Sequence, residues 1–337
     1  MAKILKIAAA VVLSIGLIGY FGAGYMVFSE TTKKKPCRYT TLNSPEEYHL
    51  EFWDVRQEDD FSPWFFKNYE KIKIPSINEG VELEAYLVEQ DPQKPWILFV
   101  HGVGVCKEKQ EVIFPMGVAV KAGFNALSID LNDHGGSTGG DGLINAGLTE
   151  YRDVIGAWKY LKETKNVPEN KIGIHGASMG AGSVAIAFSE EPGIKNIWLD
   201  SVYFAMEEQM KEYLVFLGFP SALFFPANLM GNVVGGMDLS SLEPGKAARQ
   251  IGDRNMFVTH NLPDLIVQSK HGQKMCDTAK ENVSEKGYVE CWYTDVQRDM
   301  PETPFGPKKA THVVAAIGGD PVEYERRMVS YWNRVFK

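Results

Sequence analysis

The chain has 337 residues, 45% of them hydrophobic and 12% aromatic, which supplies a substantial core and excludes a mainly disordered chain. Its formal charge of -8 excludes a general polyanion-binding surface, because nucleic-acid affinity rests on clustered Lys and Arg facing phosphates. No nucleic-acid partner is expected.

The first element is apolar. From Ile7 to Phe28 the run IAAAVVLSIGLIGYFGAGYMVF carries no charge, and at about 1.5 Å per helical residue it crosses a hydrocarbon layer of roughly 30 Å. Residues 1–30 are therefore expected to be a single-pass membrane anchor. A cleaved signal peptide is the rival, since Lys3 and Lys6 precede the run and Ala23 and Gly24 are small. The length of the run and the rings of Tyr20 and Tyr25 near its end favour the anchor. A buried core helix would show polar residues on one face. Lysines flank both sides, so the charge rule nearly cancels; an extracytoplasmic body is slightly favoured.

Residues 31–69 show no sustained period and read as a stalk or lead-in packing against the body, which spans residues 70–337. EKIKIPS and VELEAYLV alternate around Asn78, Glu79 and Gly80, the pattern of a half-buried hairpin. The texture then changes to continuous apolar runs: WILFV, GFNALSIDL, KIGIHG, IKNIWLDS and NMFVTHN. Such runs are buried on both faces, as in parallel sheets. Helical periods separate them, as where Leu148, Tyr151, Ile155, Trp158 and Leu161 share one side. The predicted fold is α/β, a mostly parallel doubly wound sheet, and its chemistry is expected at the carboxyl ends of the strands. The aromatic, Met-rich stretch of residues 202–251 interrupts the rhythm and reads as a helical cap insertion over the active edge, walling an apolar pocket.

Gly176-Ala177-Ser178-Met179-Gly180 lies between the strand KIGIHG and a small-residue helix. A tight strand-to-helix turn there strains the serine and exposes its hydroxyl, so Ser178 is the expected nucleophile. His101-Gly102-Val103-Gly104 follows the strand WILFV; the backbone amides of Val103 and Met179 are the expected oxyanion donors, and His101 a structural residue. Chain order in such sites runs serine, acid, histidine. Two late histidines qualify. His271 reads as the exposed start of a helix, whereas His312 lies on a loop before the closing helix and is the expected base. Asp264, at a strand end, is the expected acid orienting it, with Asp200 as runner-up.

The four cysteines Cys37, Cys106, Cys276 and Cys291 form no C-x-x-C pair and have no histidine at ligand spacing, so no metal or redox centre is signalled. A Cys276–Cys291 disulfide is conceivable in an exported chain, but buried free thiols are the expectation.

These motifs resemble the α/β-hydrolase superfamily, in particular its bacterial serine aminopeptidase-like and acyl-transferase or thioesterase-like group, over about residues 70–337. The resemblance is carried by His101-Gly102, by Asp130 to Ser137 with Gly147, Glu150 and Asp153, by the turn at Ser178, by Asp200-Ser201, by His260 to Asp264, and by His312 before a Pro-x-x-Tyr helix. It implies an α/β-hydrolase fold with Ser178, Asp264 and His312 as the triad. Asn132-Asp133 stands where relatives usually carry Arg-Gly, and Cys106 where they commonly carry Asn. His134, Glu150 and Asp153 read as a polar network bracing loops.

The expected activity is hydrolysis of a carboxylic ester or thioester through an acyl-enzyme, with neither metal nor organic cofactor. The alternatives are a peptidase, amidase or acyltransferase on the same three residues, and a catalytically silent membrane-tethered binding domain. The expected substrate is a small acyl ester or a peptide-like molecule.

Overall fold

The computed structural model describes residues 2–33, 37, 43–52, 55–56, 60–297, 312–313 and 315–336. A short antiparallel ribbon pairs Glu51–Phe52 with Val55–Arg56. The main sheet has eight strands: β1 (Glu70–Pro75), β2 (Glu82–Val88), β3 (Trp96–Val100), β4 (Asn125–Ile129), β5 (Ile172–Ala177), β6 (Asn196–Asp200), β7 (Asn255–Asn261) and β8 (Tyr288–Thr294). Their order across the sheet is β1-β2-β4-β3-β5-β6-β7-β8. Strand β2 runs against its neighbours β1 and β4, and all pairings from β4 to β8 are parallel.

The continuous apolar runs are explained by helices on both faces. Trp96, Leu98 and Val100 of β3 pack on one side with Trp158, Val184, Phe188 and Met275. Ile97 and Phe99 point the other way, toward Phe114, Tyr324, Met328 and Trp332. The helices α3 (Glu150–Lys159), α4 (Met179–Glu190) and α8 (Ser269–Asn282) therefore cover the first face. The second is covered by α2 (Gln110–Lys121) and α9 (Pro321–Val335), an amphipathic helix capped by Asp320, which accepts from the Glu323 amide. The lead-in packs on that second face through Tyr48, Leu50, Phe61, Trp64 and Phe66.

The cap lies between β6 and β7. It contains α5 (Met206–Phe216), α6 (Phe224–Gly235) and α7 (Lys246–Arg249). Its underside buries Tyr203, Met206, Leu214, Phe224, Leu239 and Leu242 with Val267. The amino-terminal helix α1 (Ala2–Thr32) is long and apolar enough to cross a membrane, and its most apolar window is unburied. That exposure is not what a core helix would show.

The cysteines depart from expectation. They pair as disulfides, Cys37–Cys106 and Cys276–Cys291, with Cα separations of 5.5 and 6.3 Å. The second joins α8 to β8, and parallel pairing of β7 with β8 brings both side chains to one face.

Beside Cys106, the loop after β3 is fixed by Lys107, whose side chain is 1% exposed. Its ammonium lies 2.7 Å from Glu84, 2.7 Å from Asp130 and 2.9 Å from Glu108. Lys107→Met leaves Glu108 and the buried Asp130 without their cation, while Glu84 keeps Lys71 at 2.9 Å. Breaking a buried pair in this way costs about 3–5 kcal/mol, and chemical denaturation of the variant should read a loss in that range.

Candidate active site

The parallel strands deliver their chemistry at one edge. Ser178 follows β5 directly and adopts φ 53° and ψ -119°, a left-handed conformation that serine enters only under constraint. The constraint is steric. A Cβ on Gly176 would lie 2.6 Å from the Gly180 carbonyl oxygen, and one on Gly180 would run into the carbonyls of Val100 and His101. Only glycine at both places lets strand and helix close on the turn. The Ser178 amide donates to the Asp200 carbonyl at 2.8 Å, so β6 holds the turn from the other side.

The structure brings three of the expected residues together. Nε2 of His312 lies 2.8 Å from the Ser178 hydroxyl, and its Nδ1 lies 2.6 Å from Oδ2 of Asp264. Asp264 is buried, and its other oxygen accepts the amides of Ile266 at 2.8 Å and Val267 at 3.1 Å. Those bonds fix the carboxylate plane. Burial opposes its ionisation, but His312 and His260 outweigh that and hold the carboxyl well below its ordinary range. For His312 burial opposes the charged imidazole, yet Asp264, Glu111 and Asp200 together raise its pKa above the ordinary value.

Of the turn after β3, the Gly102 amide donates to Oε1 of Glu111 at 2.8 Å and the Gly104 amide to Nε2 of His134 at 3.2 Å. Among the described residues the Val103 amide donates to no protein acceptor. Met179 opens α4, where helix geometry leaves the first amides without a carbonyl one turn back. These are the two amides expected to face an oxyanion.

Glu111 escaped the sequence reading. An acid in the first turn of a helix ordinarily answers the helix dipole, and no sequence signal distinguishes this one. It is buried; burial pushes its carboxyl up, while the Gly102 amide and Lys109 pull it down. It commits the Gly102 amide and leaves the Val103 amide as the one expected to face an oxyanion.

The remaining polar residues hold loops. His101 Nε2 accepts from the Leu131 amide at 3.0 Å, and its Nδ1 contacts the Gly102 carbonyl at 2.7 Å. Glu150 accepts the amides of Asn145 and Gly147, at 2.8 and 2.9 Å. Asp153 takes the Asn132 amide at 2.7 Å with Ser76 and Asn78, and burial pushes its pKa up to about 6. Asp133 has φ 56°.

The side chains of the two other candidates bond elsewhere. His271 is buried, where an exposed position was expected: its Nδ1 accepts from the Phe204 amide at 3.2 Å and its Nε2 faces Glu212 at 3.2 Å, tying the cap to α8. Asp200 is also buried, and its carboxylate meets the Ser201 hydroxyl at 3.0 Å. The His312 Nδ1 is engaged by Asp264.

No protein-family model matches the chain. Two uncharacterized 31.7 kDa proteins of Escherichia coli are 28% identical to it over 131 residues, 38% of this chain and 44% of theirs. The chain thus matches less than half the length of these curated relatives. In structure it is similar to an esterase of Pyrococcus furiosus, with TM-score 0.60 and 21% identity over 80% of this chain and 93% of that one. An acylaminoacyl peptidase of Pyrococcus horikoshii gives TM-score 0.57 and 18% identity over 84% of this chain and 45% of that one. A dienelactone hydrolase of Anabaena variabilis gives 0.52 and 15% over 80% and 99%.

Proposed function

We propose that this chain, which has the α/β-hydrolase fold, is a serine hydrolase that cleaves carboxylic esters or thioesters through an acyl-enzyme. One observation carries the reading: a strained serine hydroxyl 2.8 Å from an imidazole whose other nitrogen lies 2.6 Å from a buried carboxylate.

Chemistry follows from the geometry. His312 Nε2 takes the Ser178 proton as the oxygen attacks the carbonyl carbon, and Asp264 stabilises the imidazolium so formed. The amides of Val103 and Met179 receive the developing oxyanion. The imidazolium returns its proton to the leaving alcohol or thiol as the carbonyl bond to it breaks. Water, deprotonated by the same imidazole, then releases the acid and restores Ser178.

Esters rank before amides because the cap above this edge is apolar and aromatic. The likeness to an acylaminoacyl peptidase supports an amidase as second reading. A panel of p-nitrophenyl esters of increasing acyl length beside aminoacyl-nitroanilides decides between them. Ester turnover at least tenfold above anilide turnover in kcat/KM is expected; the reverse order overturns the ester assignment.

The disulfides bear on the side of the membrane. Thiols stay reduced in the cytosol, so two cysteine pairs support a body exposed to an oxidising, extracytoplasmic compartment and anchored by α1.

A further inference from the structure

Helix α1 does not stand apart from the body. The Tyr20 hydroxyl donates to the Ala222 carbonyl at 2.7 Å. A Cβ on Gly24 would lie 2.5 Å from Cβ of Pro226, so the absent side chain is what lets α1 and α6 touch. Phe28 is buried against Gly231 and Gly235, and the Thr32 carbonyl accepts the Ile144 amide at 2.7 Å. The pairs 20 with 222, 24 with 226 and 28 with 231 advance together. Helix α6 therefore runs parallel to the last third of α1, its start beside Tyr20 and its end beside Phe28.

Helix α6 also carries an exposed and largely apolar stripe. Phe225 is 65% exposed and Val233 72%, with Leu229 between them on the same helical stripe and the exposed Asn232 beside it; Val234, 59% exposed, lies off that stripe. Val215 on α5 and Phe219 in the turn before α6 are 60% and 45% exposed. From Leu214 to Gly236 no residue is charged, and α1 is likewise uncharged from Ile7 to Phe28. The charges that bound these segments are Lys211 and Glu212 on α5, Asp238 after α6, Glu30 near the end of α1 and Lys33 just after it. The ends of α1 and α6 meet at one place, since Leu143, which bridges to Lys33, also touches Gly235. Asn228, a polar residue inside α6, is satisfied within the cap by Asp238 and the Leu239 amide.

We infer that the uncharged tip of the cap, Leu214 to Gly236, inserts into the apolar layer of the membrane alongside α1, and that the site below it is served by acyl lipids held in that membrane. The occupant of the exposed face is the bilayer because the face continues a helix of membrane-spanning length and composition. The eight steps from Tyr20 to Phe28 rise about 12 Å. If the span ends near Phe28, the Phe224 end of α6 lies about that deep, within one leaflet. A water-soluble substrate would not require its cap to be buried in lipid. The assignment of a lipid-borne acyl ester rests on the serine hydrolase reading; the insertion does not.

The test uses the full chain in phosphatidylcholine vesicles doped with a phospholipid bearing a photoactivated diazirine in its acyl chain. Mass spectrometry should find label on peptides spanning Val215–Val234 at a level within about threefold of the α1 peptides, and not on α8. Label on α1 with none on Val215–Val234 overturns the insertion, as does its absence because a second copy covers the face, seen as a cross-linked dimer. The variant Phe225→Asp with Val233→Asp alters two exposed side chains of α6. It should keep hydrolysis of a short p-nitrophenyl ester in detergent within about twofold while hydrolysis of a long-chain ester carried in vesicles falls about tenfold or more. Equal effects on both esters, or on neither, overturn the lipid assignment. Failure of a fluorophosphonate probe to modify Ser178 would instead remove the serine hydrolase reading and leave the insertion standing on the lipid label.

Discussion

Replacing Ser178 by alanine should lower ester hydrolysis by on the order of 10⁵-fold or more, and should abolish modification by a fluorophosphonate probe. Alanine keeps the Cβ and hence the backbone turn at φ 53°, and deletes only the oxygen 2.8 Å from His312 Nε2. Without that oxygen no acyl-enzyme can form, and the oxyanion amides alone leave roughly 10³ to 10⁴ over the uncatalysed rate. The melting temperature should stay near that of the parent chain, since no buried donor loses its partner inside the core. A silent binding domain makes the opposite prediction, with neither protein labelled. Labelling that persists in Ser178→Ala would place the reactive nucleophile at another residue.

Much of this arrangement was legible in the sequence because the rules governing it are local or topological. The strands β3 to β7 were readable because a strand covered on both faces must be apolar at every position, which leaves unbroken runs such as WILFV. The turn at Ser178 was readable because the steric conflict that requires Gly176 and Gly180 acts within five residues. Strand ends then ranked Asp264, and chain order ranked His312. What the sequence hid depends on contacts made by folding. Cys37 and Cys106 are 69 residues apart, and only the path of the lead-in brings them together. Glu111 gains its partner because α2 begins beneath the turn carrying Gly102. His271 lies at the start of a helix whose pattern suggests exposure, and it is covered only because the cap sets the Phe204 amide and Glu212 against its ring.

Asp264→Asn separates orientation from charge, and its expected effect is a loss of roughly 10⁴-fold in kcat, by analogy with the tautomer argument for buried triad acids. The asparagine oxygen still accepts the amides of Ile266 and Val267, so the loop survives. Its amide nitrogen then faces His312 Nδ1 and donates to it. The imidazole proton is forced onto Nε2, where it points at Ser178 and can no longer accept the serine proton. A shift in pH dependence accompanies the loss. In the parent chain burial lowers the His312 pKa but Asp264 is the largest influence raising it, and the net position is above the ordinary value of 6.5. The base works only when neutral, so activity is present above that pKa and falls as pH drops through it. The acid limb of kcat/KM in the parent should therefore have its midpoint above pH 6.5. Removing the Asp264 charge takes away the leading stabilisation of the imidazolium, so the residual activity of the variant should have its acid limb at lower pH than the parent. Asp200 and Glu111 still raise the imidazole in the variant, which limits the displacement. Profiles measured over pH 5 to 9 with a short p-nitrophenyl ester decide the matter. An acid limb that does not move, together with a loss of less than about tenfold, would mean that Asp264 is not the partner that orients the base, and the buried carboxyl of Asp200 would become the residue to replace next.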